Sequence, residues 1–170
     1  MISDNLQKEL TLQVKHEYFS SYFYLSMAAY CASINYDGFE HFFMQQVKEE
    51  EYHIMKFYNY MKDRGVQITF GAIEAPKANF KSIEDVFAVG LAHEKTITNR
   101  ISHMMDIAVE EKEHATVSFL RWFVDEQVEE EKMFEDWLHK IKLVDGNGYG
   151  LLMLSDQAGQ RNFAPPASAE

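Results

Sequence analysis

The sequence predicts an all-α protein, a four-helix bundle with a long connection between its second and third helices and a short fifth helix near the C-terminal end. Only three prolines occur in 170 residues, and two of them are adjacent at Pro165 and Pro166. Long stretches are therefore free to be helical. Apolar residues recur at helical spacing in four such stretches, and turn-forming residues separate most of them.

The first helix can be capped by Ser3, Asp4 or Asn5, and neither glycine nor proline then occurs before Gly38. Its core-facing stripe is apolar or small except at Glu17, near the middle of the helix. The stripe consists of Leu10, Val14, Glu17, Ser21, Tyr24, Ala28 and Cys31.

Residues 35–38 are typical of a turn, and a second helix is predicted from there to about Arg64, where Gly65 ends it. Glu50 lies near the midpoint of its stripe, and His53 follows three residues later on the same face. The stripe consists of Phe39, Phe43, Val47, Glu50, Ile54, Phe57 and Met61.

The segment from residue 65 to about residue 80 contains Gly65, Gly71 and Pro76 and shows little helical periodicity. About 18 extended residues can span roughly 60 Å, whereas a helix of about 28 residues is about 42 Å long. This connection can therefore run the length of the bundle, so that the third helix points the same way as the second. The short connections elsewhere indicate antiparallel neighbours.

Ser82, with Asp85 nearby, predicts the start of the third helix. Glu94 is the only carboxylate in its stripe and again lies near the centre. The stripe consists of Ile83, Phe87, Leu91, Glu94, Thr98, Ile101, Met105 and Ala108.

A tight turn is predicted over residues 109–114, followed by a fourth helix to about Val144. Gln127 and Glu130 interrupt its stripe near the centre. A short apolar segment at 149–154 predicts a small fifth helix that pads an interface. The chain from about Gln160 is expected to be loose. The fourth stripe consists of Leu120, Phe123, Gln127, Glu130, Phe134, Trp137 and Ile141.

Composition excludes several classes of function. The formal net charge of −11 should repel nucleic acid and anionic membranes and attract cations. Cys31 is the single cysteine, which excludes an internal disulfide and cysteine-rich zinc or iron–sulfur sites. No signal-peptide pattern and no run of about 20 apolar residues occurs, so a cytoplasmic protein without a membrane partner is expected.

Four predicted helices thus carry polar residues at similar depth in apolar stripes. Burying unpaired carboxylates costs several kcal/mol each, so either protons are shared or cations lie between them. A Glu from each of two helices with a Glu-x-x-His from another is the di-metal arrangement of four-helix bundles. This oxygen-rich set suits iron or manganese. The alternative is a polar network that only fixes helix register. The polar residues of the four stripes are Glu17, Glu50 with His53, Glu94, and Gln127 with Glu130.

The chain resembles a non-haem bacterial ferritin over about residues 1–160, which we take as a ferritin-like di-iron domain, with 161–170 as a flexible tail. The resemblance rests on Glu17, Tyr24, the motif Glu50-Glu51-Tyr52-His53, Glu94, and Glu126-Gln127-Val128-Glu129-Glu130. It implies a ferroxidase that oxidises Fe(II) with oxygen or hydrogen peroxide. It also implies a hollow homo-oligomeric shell of 24 subunits that stores ferric mineral.

The resemblance also implies roles for individual residues. Glu17, Glu50 and His53 would hold a first iron, and Glu50, Glu94 and Glu130 a second, with Glu50 bridging. Gln127 would face the bound oxygen species, and Tyr24 would be an electron donor unless it is only a packed aromatic. A third iron would be held by Glu49, Glu126 and Glu129 with Glu130, although such acids are also typical of a solvated helix face.

Two departures narrow the family. Haem-containing relatives carry a second Glu-x-x-His and a methionine after the first motif's Glu. Here the corresponding residues are Gln127 with Glu130 and Glu51, so no haem is predicted. The carboxylates that line the three-fold channel of animal relatives correspond to Val117 and Leu120, so that iron route is not expected. The rival functions are a non-storing di-iron oxidase or peroxidase, a shell without metal chemistry, and a haem bacterioferritin.

Overall fold

The computed structural model describes residues 2–165, and within them the chain forms five α-helices and no strand, which confirms the predicted all-α class. Four helices are long and the fifth is short. They are α1 (Asp4–Ser33), α2 (Asp37–Asp63), α3 (Ile83–Glu110), α4 (His114–Leu143) and α5 (Gly148–Ala158).

The helix ends follow from local chemistry. Ser3 Oγ accepts a hydrogen bond from the Leu6 amide at the start of α1, and Ser82 Oγ accepts one from Asp85 at the start of α3. The predicted turn before α4 is confirmed as a tight connection in which Lys112 adopts a φ of 58°. Both N-caps and this turn therefore lie where the sequence predicts them.

The predicted turn at 35–38 is wrong in its second half, because Asp37 and Gly38 already belong to the first turn of α2. Gly38 serves a close approach rather than a turn. A Cβ atom built on Gly38 would lie 1.8 Å from the carbonyl oxygen of Ser155 in α5. The Ser155 hydroxyl also accepts hydrogen bonds from the amides of Gly38 and Phe39, at 3.1 and 3.3 Å. Glycine at this position lets α5 dock on the start of α2.

Buried apolar side chains form two clusters that reveal the helix directions. The first joins the C-terminal halves of α1 and α4 with the N-terminal halves of α2 and α3. The second joins the opposite halves. Therefore α2 and α3 run one way and α1 and α4 the other, as the long second connection allows. The first cluster includes Phe39, Phe42, Phe87 and Phe134, and the second includes Leu6, Leu10, Phe57 and Phe123.

The long connection between α2 and α3 runs along α1. The Phe70 ring packs edge-on against Tyr18 at 6.0 Å, and Ser26 Oγ donates a hydrogen bond to the Lys77 carbonyl at 2.8 Å. Phe80 then joins the first apolar cluster. The connection thus passes from one end of the bundle to the other, which confirms the predicted crossover.

The C-terminal part combines an exposed α5 with a docked segment. Tyr149, Leu152 and Met153 of α5 are more than half exposed, and the predicted interface at α5 stays a prediction. Arg161 and Phe163 contact α2, and the remainder of the predicted flexible tail, 166–170, lies outside the described residues. No helix among residues 2–165 combines the length and apolarity that crossing a membrane requires.

Candidate metal centre

A layer of polar side chains separates the two apolar clusters. Each of the predicted central polar residues lies in it, and none is more than 4% exposed. Helical periodicity turns each of them inward, and similar distances from the helix ends bring them to one level. The layer contains Glu17, Glu50, His53, Glu94, Gln127 and Glu130.

Glu17, Glu50 and His53 form the first group of converging donors, with one ligand atom from each lying within 4.8 Å of the others. His53 Nδ1 lies 3.4 Å from Glu50 Oε2 and 3.8 Å from Glu17 Oε2. Two oxygen donors about 2.1 Å from an octahedral ion lie about 3 Å apart when adjacent and about 4 Å apart when opposite. These separations therefore fit donors around one cation.

His53 also carries a buried atom that the protein does not satisfy. Its Nε2 has no hydrogen-bond partner among the described residues. Glu126 Oε1 is 3.9 Å away, which is too far for a hydrogen bond. Buried polar atoms are usually paired, so an unpaired one beside converging carboxylates is a feature of a functional site.

Glu49, Glu126 and Glu130 form a second group, the second cluster hereafter, whose oxygens also lie within 4.8 Å of one another. Glu130 and Glu49 are buried and Glu126 is half-buried. The Arg161 guanidinium forms an ion pair with Glu49. Glu129, which the resemblance adds to this set, is exposed.

Glu94 is held by hydrogen bonds from two other helices. The Tyr24 hydroxyl donates to Glu94 Oε1. Gln127 Nε2 lies 3.0 Å from Glu94 Oε2 and 3.3 Å from both the Glu94 carbonyl oxygen and Thr98 Oγ1. Glu94 belongs to neither of the three-donor groups found among the described residues. Its carboxylate instead faces Tyr24 and Gln127 beside those groups.

Burial raises the pKa of every central carboxyl group. The pKa values of Glu17, Glu50 and Glu94 rise to about 8, and that of Glu130 rises well above its ordinary value. Burial is the chief cause in each case. Neighbouring carboxylates add to it, as Glu50 does for Glu17 and Glu94 does for Glu130.

Within residues 2–165, no lysine or arginine forms an ion pair with Glu17, Glu50, Glu94 or Glu130. No direct ion pair therefore neutralises the negative charge that these groups would carry at high pH, and Arg161 only partly offsets it at Glu50 and Glu130. Either protons or cations must balance it. The layer can thus exchange protons for metal ions near neutral pH.

Two glutamines that the sequence reasoning missed support the carboxylates. Gln13 Nε2 donates to Glu17 Oε1 at 2.9 Å, and Gln46 Nε2 donates to Glu130 Oε2 at 3.0 Å. Both amides are completely buried. The spacing could have identified Gln13, because it lies one helical turn before Glu17 on the same face. Gln46 reaches a carboxylate on another helix, and local spacing does not predict such a pair.

A surface groove of about 380 Å³ between α3 and α4 reaches the polar layer at Gln127. Thr98 Oγ1 lines the groove and donates to Glu131 Oε1 at 2.5 Å. Gln127 in turn lies within hydrogen-bond distance of Thr98. Polar atoms therefore lead from the surface to Glu94. Leu120, where no iron route is expected from the sequence, is instead completely buried and apolar.

An all-α bundle with carboxylates and one imidazole converging in its buried middle belongs to the class of carboxylate metal-site bundles. The sequence profile of the Ferritin family, described as a ferritin-like domain, matches residues 7–144. The chain belongs to the ferritin family.

Individual relatives agree over nearly the whole chain. The bacterial non-heme ferritin of Staphylococcus aureus (strain USA300) is 44% identical over 163 residues, which cover 96% of this chain and 98% of the relative. That of Staphylococcus haemolyticus is 42% identical with the same coverage. Both comparisons extend beyond α4 and include α5.

Solved structures share the fold. The open-pore ferritin of the archaeon Archaeoglobus fulgidus is 35% identical, with a TM-score of 0.94 over 95% of this chain and all of that one. A humanized archaeal ferritin is 36% identical, with a TM-score of 0.96 over 97% of this chain and all of that one. The predicted four-helix bundle with a short fifth helix is therefore confirmed.

Proposed function

We propose that this protein is an iron-storage ferritin whose buried polar layer oxidises Fe(II) to Fe(III). The proposal for this member of the ferritin family depends on one observation. Four helices bring glutamates to one buried level, where His53 Nε2 lies unpaired and no lysine or arginine among residues 2–165 forms an ion pair with Glu17, Glu50, Glu94 or Glu130. Such a layer favours hard cations, and its carboxylates bind cations of high charge most strongly.

Iron enters this proposal as the substrate. Glu17, Glu50 and His53 would bind one Fe(II), and their separations support that assignment. Glu50 would also contact a second Fe(II), held with Glu94 and Glu130. Glu94 must then exchange a hydrogen bond from Tyr24 or Gln127 for a metal bond. The second cluster, extended by Glu129, would accept a third iron.

The carboxylates favour the oxidised product. Each Fe(II) gives up one electron, so a pair supplies the two electrons that reduce O₂ to H₂O₂ or H₂O₂ to water. The charge on iron rises in this step, and negatively charged oxygen ligands stabilise the higher charge more strongly. Gln127 would orient the oxidant from its position at the groove. Tyr24 would supply an electron to the iron, because its hydroxyl is hydrogen-bonded to Glu94, a proposed iron ligand.

Storage requires an assembly that a single chain does not provide. We propose a homo-oligomeric shell of 24 subunits that collects ferric mineral in its cavity, as the family implies. The exposed apolar side chains of α5 offer one surface for subunit contacts. A cytoplasmic location and the absence of haem stay predictions.

The decisive experiment adds Fe(II) in air to metal-free protein and follows ferric absorbance against iron equivalents, with the native mass measured on the same sample. We expect oxidation to continue far beyond three irons per chain in an assembly of about 24 subunits. Glu50→Ala should lose most of the initial rate, because Glu50 is shared by both iron positions. Glu51→Ala, at an exposed neighbour on the same helix, should keep it.

The same experiment identifies the rival functions. Oxidation that stops at two or three irons per chain, in a species of one or two subunits, would indicate a non-storing di-iron oxidase or peroxidase. An unchanged rate in Glu50→Ala would indicate a shell without metal chemistry. A strong visible haem band would indicate a haem bacterioferritin.

A further inference from the structure

The segment after α5 brings a cation to a site made of acids. Arg161 is the first residue beyond the turn that ends α5, and its guanidinium pairs with Glu49. Glu49 is one of the three converging carboxylates of the second cluster. No other ion pair joins a lysine or arginine to this cluster among residues 2–165.

Several contacts fix the position of Arg161. His41 Nε2 lies 2.8 Å from the Arg161 carbonyl oxygen, and Nη1 of Arg161 lies 3.4 Å from the Phe42 carbonyl oxygen. The guanidinium carbon lies 4.9 Å from the centre of the Phe42 ring. Two residues further on, the Phe163 amide donates to Gln45 Oε1 at 3.2 Å. The backbone on both sides of the ion pair is thus attached to α2.

The ion pair is largely shielded from water. The side chains of Arg161 and Glu49 are 20% and 10% exposed. Exposed ion pairs contribute little because water screens them and both side chains lose conformational freedom. Here the partners are partly buried and the arginine is held from both sides, so the interaction is stronger than for a typical surface pair.

We propose that Arg161 is a positioning residue that competes with metal ions for Glu49 and thereby keeps metal binding at the second cluster weak. The proposal rests on the proposed function, in which this cluster takes iron. A cation that binds there must displace the guanidinium from Glu49 or accept a like charge beside it, and either costs affinity. Iron would therefore dissociate readily from the second cluster and would not stay bound there permanently.

Binding of Tb(III), an oxygen-seeking ion that takes part in no electron transfer, tests this proposal in the full-length assembled protein. Trp122 can report binding by sensitised luminescence, because its ring lies 5.4 Å from that of His53 and 5.9 Å from that of Tyr52. Arg161→Gln should bind Tb(III) about tenfold more tightly, since one charge-assisted hydrogen bond to Glu49 is removed. Arg161→Lys keeps the positive charge and should stay near the wild-type affinity.

Three further variants make the assignment specific. Glu49→Gln combined with Arg161→Gln should lose the gain, because the contested carboxylate is gone. Gln45→Ala releases the Phe163 amide without removing the arginine and should give a smaller gain in the same direction. It also serves as the test if Arg161→Gln does not assemble. Arg121→Gln, at an exposed arginine of α4, should leave the affinity unchanged.

The proposal is overturned if Arg161→Gln and Gln45→Ala bind Tb(III) no more tightly than the wild type. It is equally overturned if Arg161→Lys binds as tightly as Arg161→Gln, since Arg161 would then act by its shape and contacts alone. Failure of the proposed function appears separately, as unchanged Fe(II) oxidation in Glu50→Ala, because Tb(III) binding requires no oxidation.

Discussion

The Tyr24 hydroxyl on α1 donates a hydrogen bond to Glu94 on α3, and both side chains are removed from solvent. The Tyr24 ring also packs against Phe134 at 5.8 Å and Phe43 at 6.2 Å. One side chain thus joins an apolar cluster to the polar layer. Its ring anchors the hydroxyl, and the hydroxyl fixes the direction of the carboxylate.

Tyr24→Phe isolates the role of that hydroxyl. The ring contacts remain, but Glu94 loses a donor in a buried place, which we expect to cost about 1–3 kcal/mol of unfolding free energy. Fe(II) oxidation should also slow, because Glu94 is less well oriented and the phenol is no longer available as an electron donor. Denaturant unfolding and initial ferric absorbance measure the two effects.

Tyr22→Phe is the control for that prediction, because Tyr22 lies on the same helix and is 49% exposed. It should change neither stability nor rate. If Tyr24→Phe also oxidised iron at the wild-type rate, the Tyr24–Glu94 hydrogen bond would be a structural contact only.

The central acids were predictable from the sequence because helical geometry alone determines their direction and depth. Glu17, Glu50, Glu94 and Glu130 interrupt apolar stripes near the helix midpoints, and all four are buried at one level. The same rule is less accurate for some other positions of the stripes. It places Ser21 in the stripe, although Ser20 is the buried residue.

The sequence predicts that Tyr24 can hydrogen-bond a carboxylate of the site, but the identity of a partner on another element was not predictable, because its spacing in the sequence carries no signal. The acceptor of the Tyr24 hydroxyl is 70 residues away at Glu94, and Arg161 pairs with Glu49 across 112 residues. Arg161 also lies in a segment whose composition is typical of a loose end. Its position depends on contacts with α2 that only the folded chain creates.

The raised pKa values predict an unusual pH dependence for the metal-free protein. Glu17, Glu50 and Glu94 have pKa values of about 8 in the fold, against an ordinary value of 4.5. Between about pH 4.5 and about pH 8 the unfolded chain loses these protons while the fold keeps them. The contribution of these groups is therefore fully present at low pH and is lost as the pH rises through this window.

Glu94→Gln measures that contribution as a difference, because other groups also titrate. The free energy of unfolding of the wild type, minus that of the variant, should fall as the pH rises from 5 to 8. Mn(II), a divalent ion that resists oxidation, should raise the melting temperature more at pH 8 than at pH 5, since it replaces the protons. A difference that is flat or rises with pH would contradict the prediction.

Gly90 controls how closely α3 approaches α4 beside the metal centre. A Cβ atom on Gly90 would lie 2.4 Å from Cε1 of the completely buried Phe134. Gly90 lies one turn before Glu94, and Phe134 lies one turn after Glu130. The missing side chain therefore allows the approach that brings the two carboxylates together.

We expect Gly90→Ala to destabilise the fold by about 1–3 kcal/mol through overpacking, although alanine favours a helix more than glycine does. Metal affinity should fall as well, because α3 moves away from α4. Denaturant unfolding and Mn(II) binding test the two effects. Asn99→Ala, at an exposed position of the same helix, should be neutral or slightly stabilising, and a similar result for Gly90→Ala would show that Phe134 moves aside freely.

Haem-containing relatives carry a histidine at the position of Glu130. We propose that the carboxylate at this position lets iron pass through the layer and leave it. Ferric ions bind carboxylates strongly. Glu130 also belongs to the second cluster, however, so iron bound to Glu130 would transfer to Glu49 and Glu126. A histidine would remove that shared oxygen donor. It would also remove the carboxylate oxygen that accepts a hydrogen bond from Gln46 Nε2.

Glu130→His should therefore retain oxidised iron in the layer and slow mineral growth after the first equivalents. We expect a fast first phase of ferric absorbance, a weak second phase, and about two irons per chain after desalting. Glu129→His, which places the same side chain at an exposed neighbour, should mineralise more nearly like the wild type. Wild-type mineral growth in Glu130→His would mean that iron leaves the centre by a route that does not use Glu130.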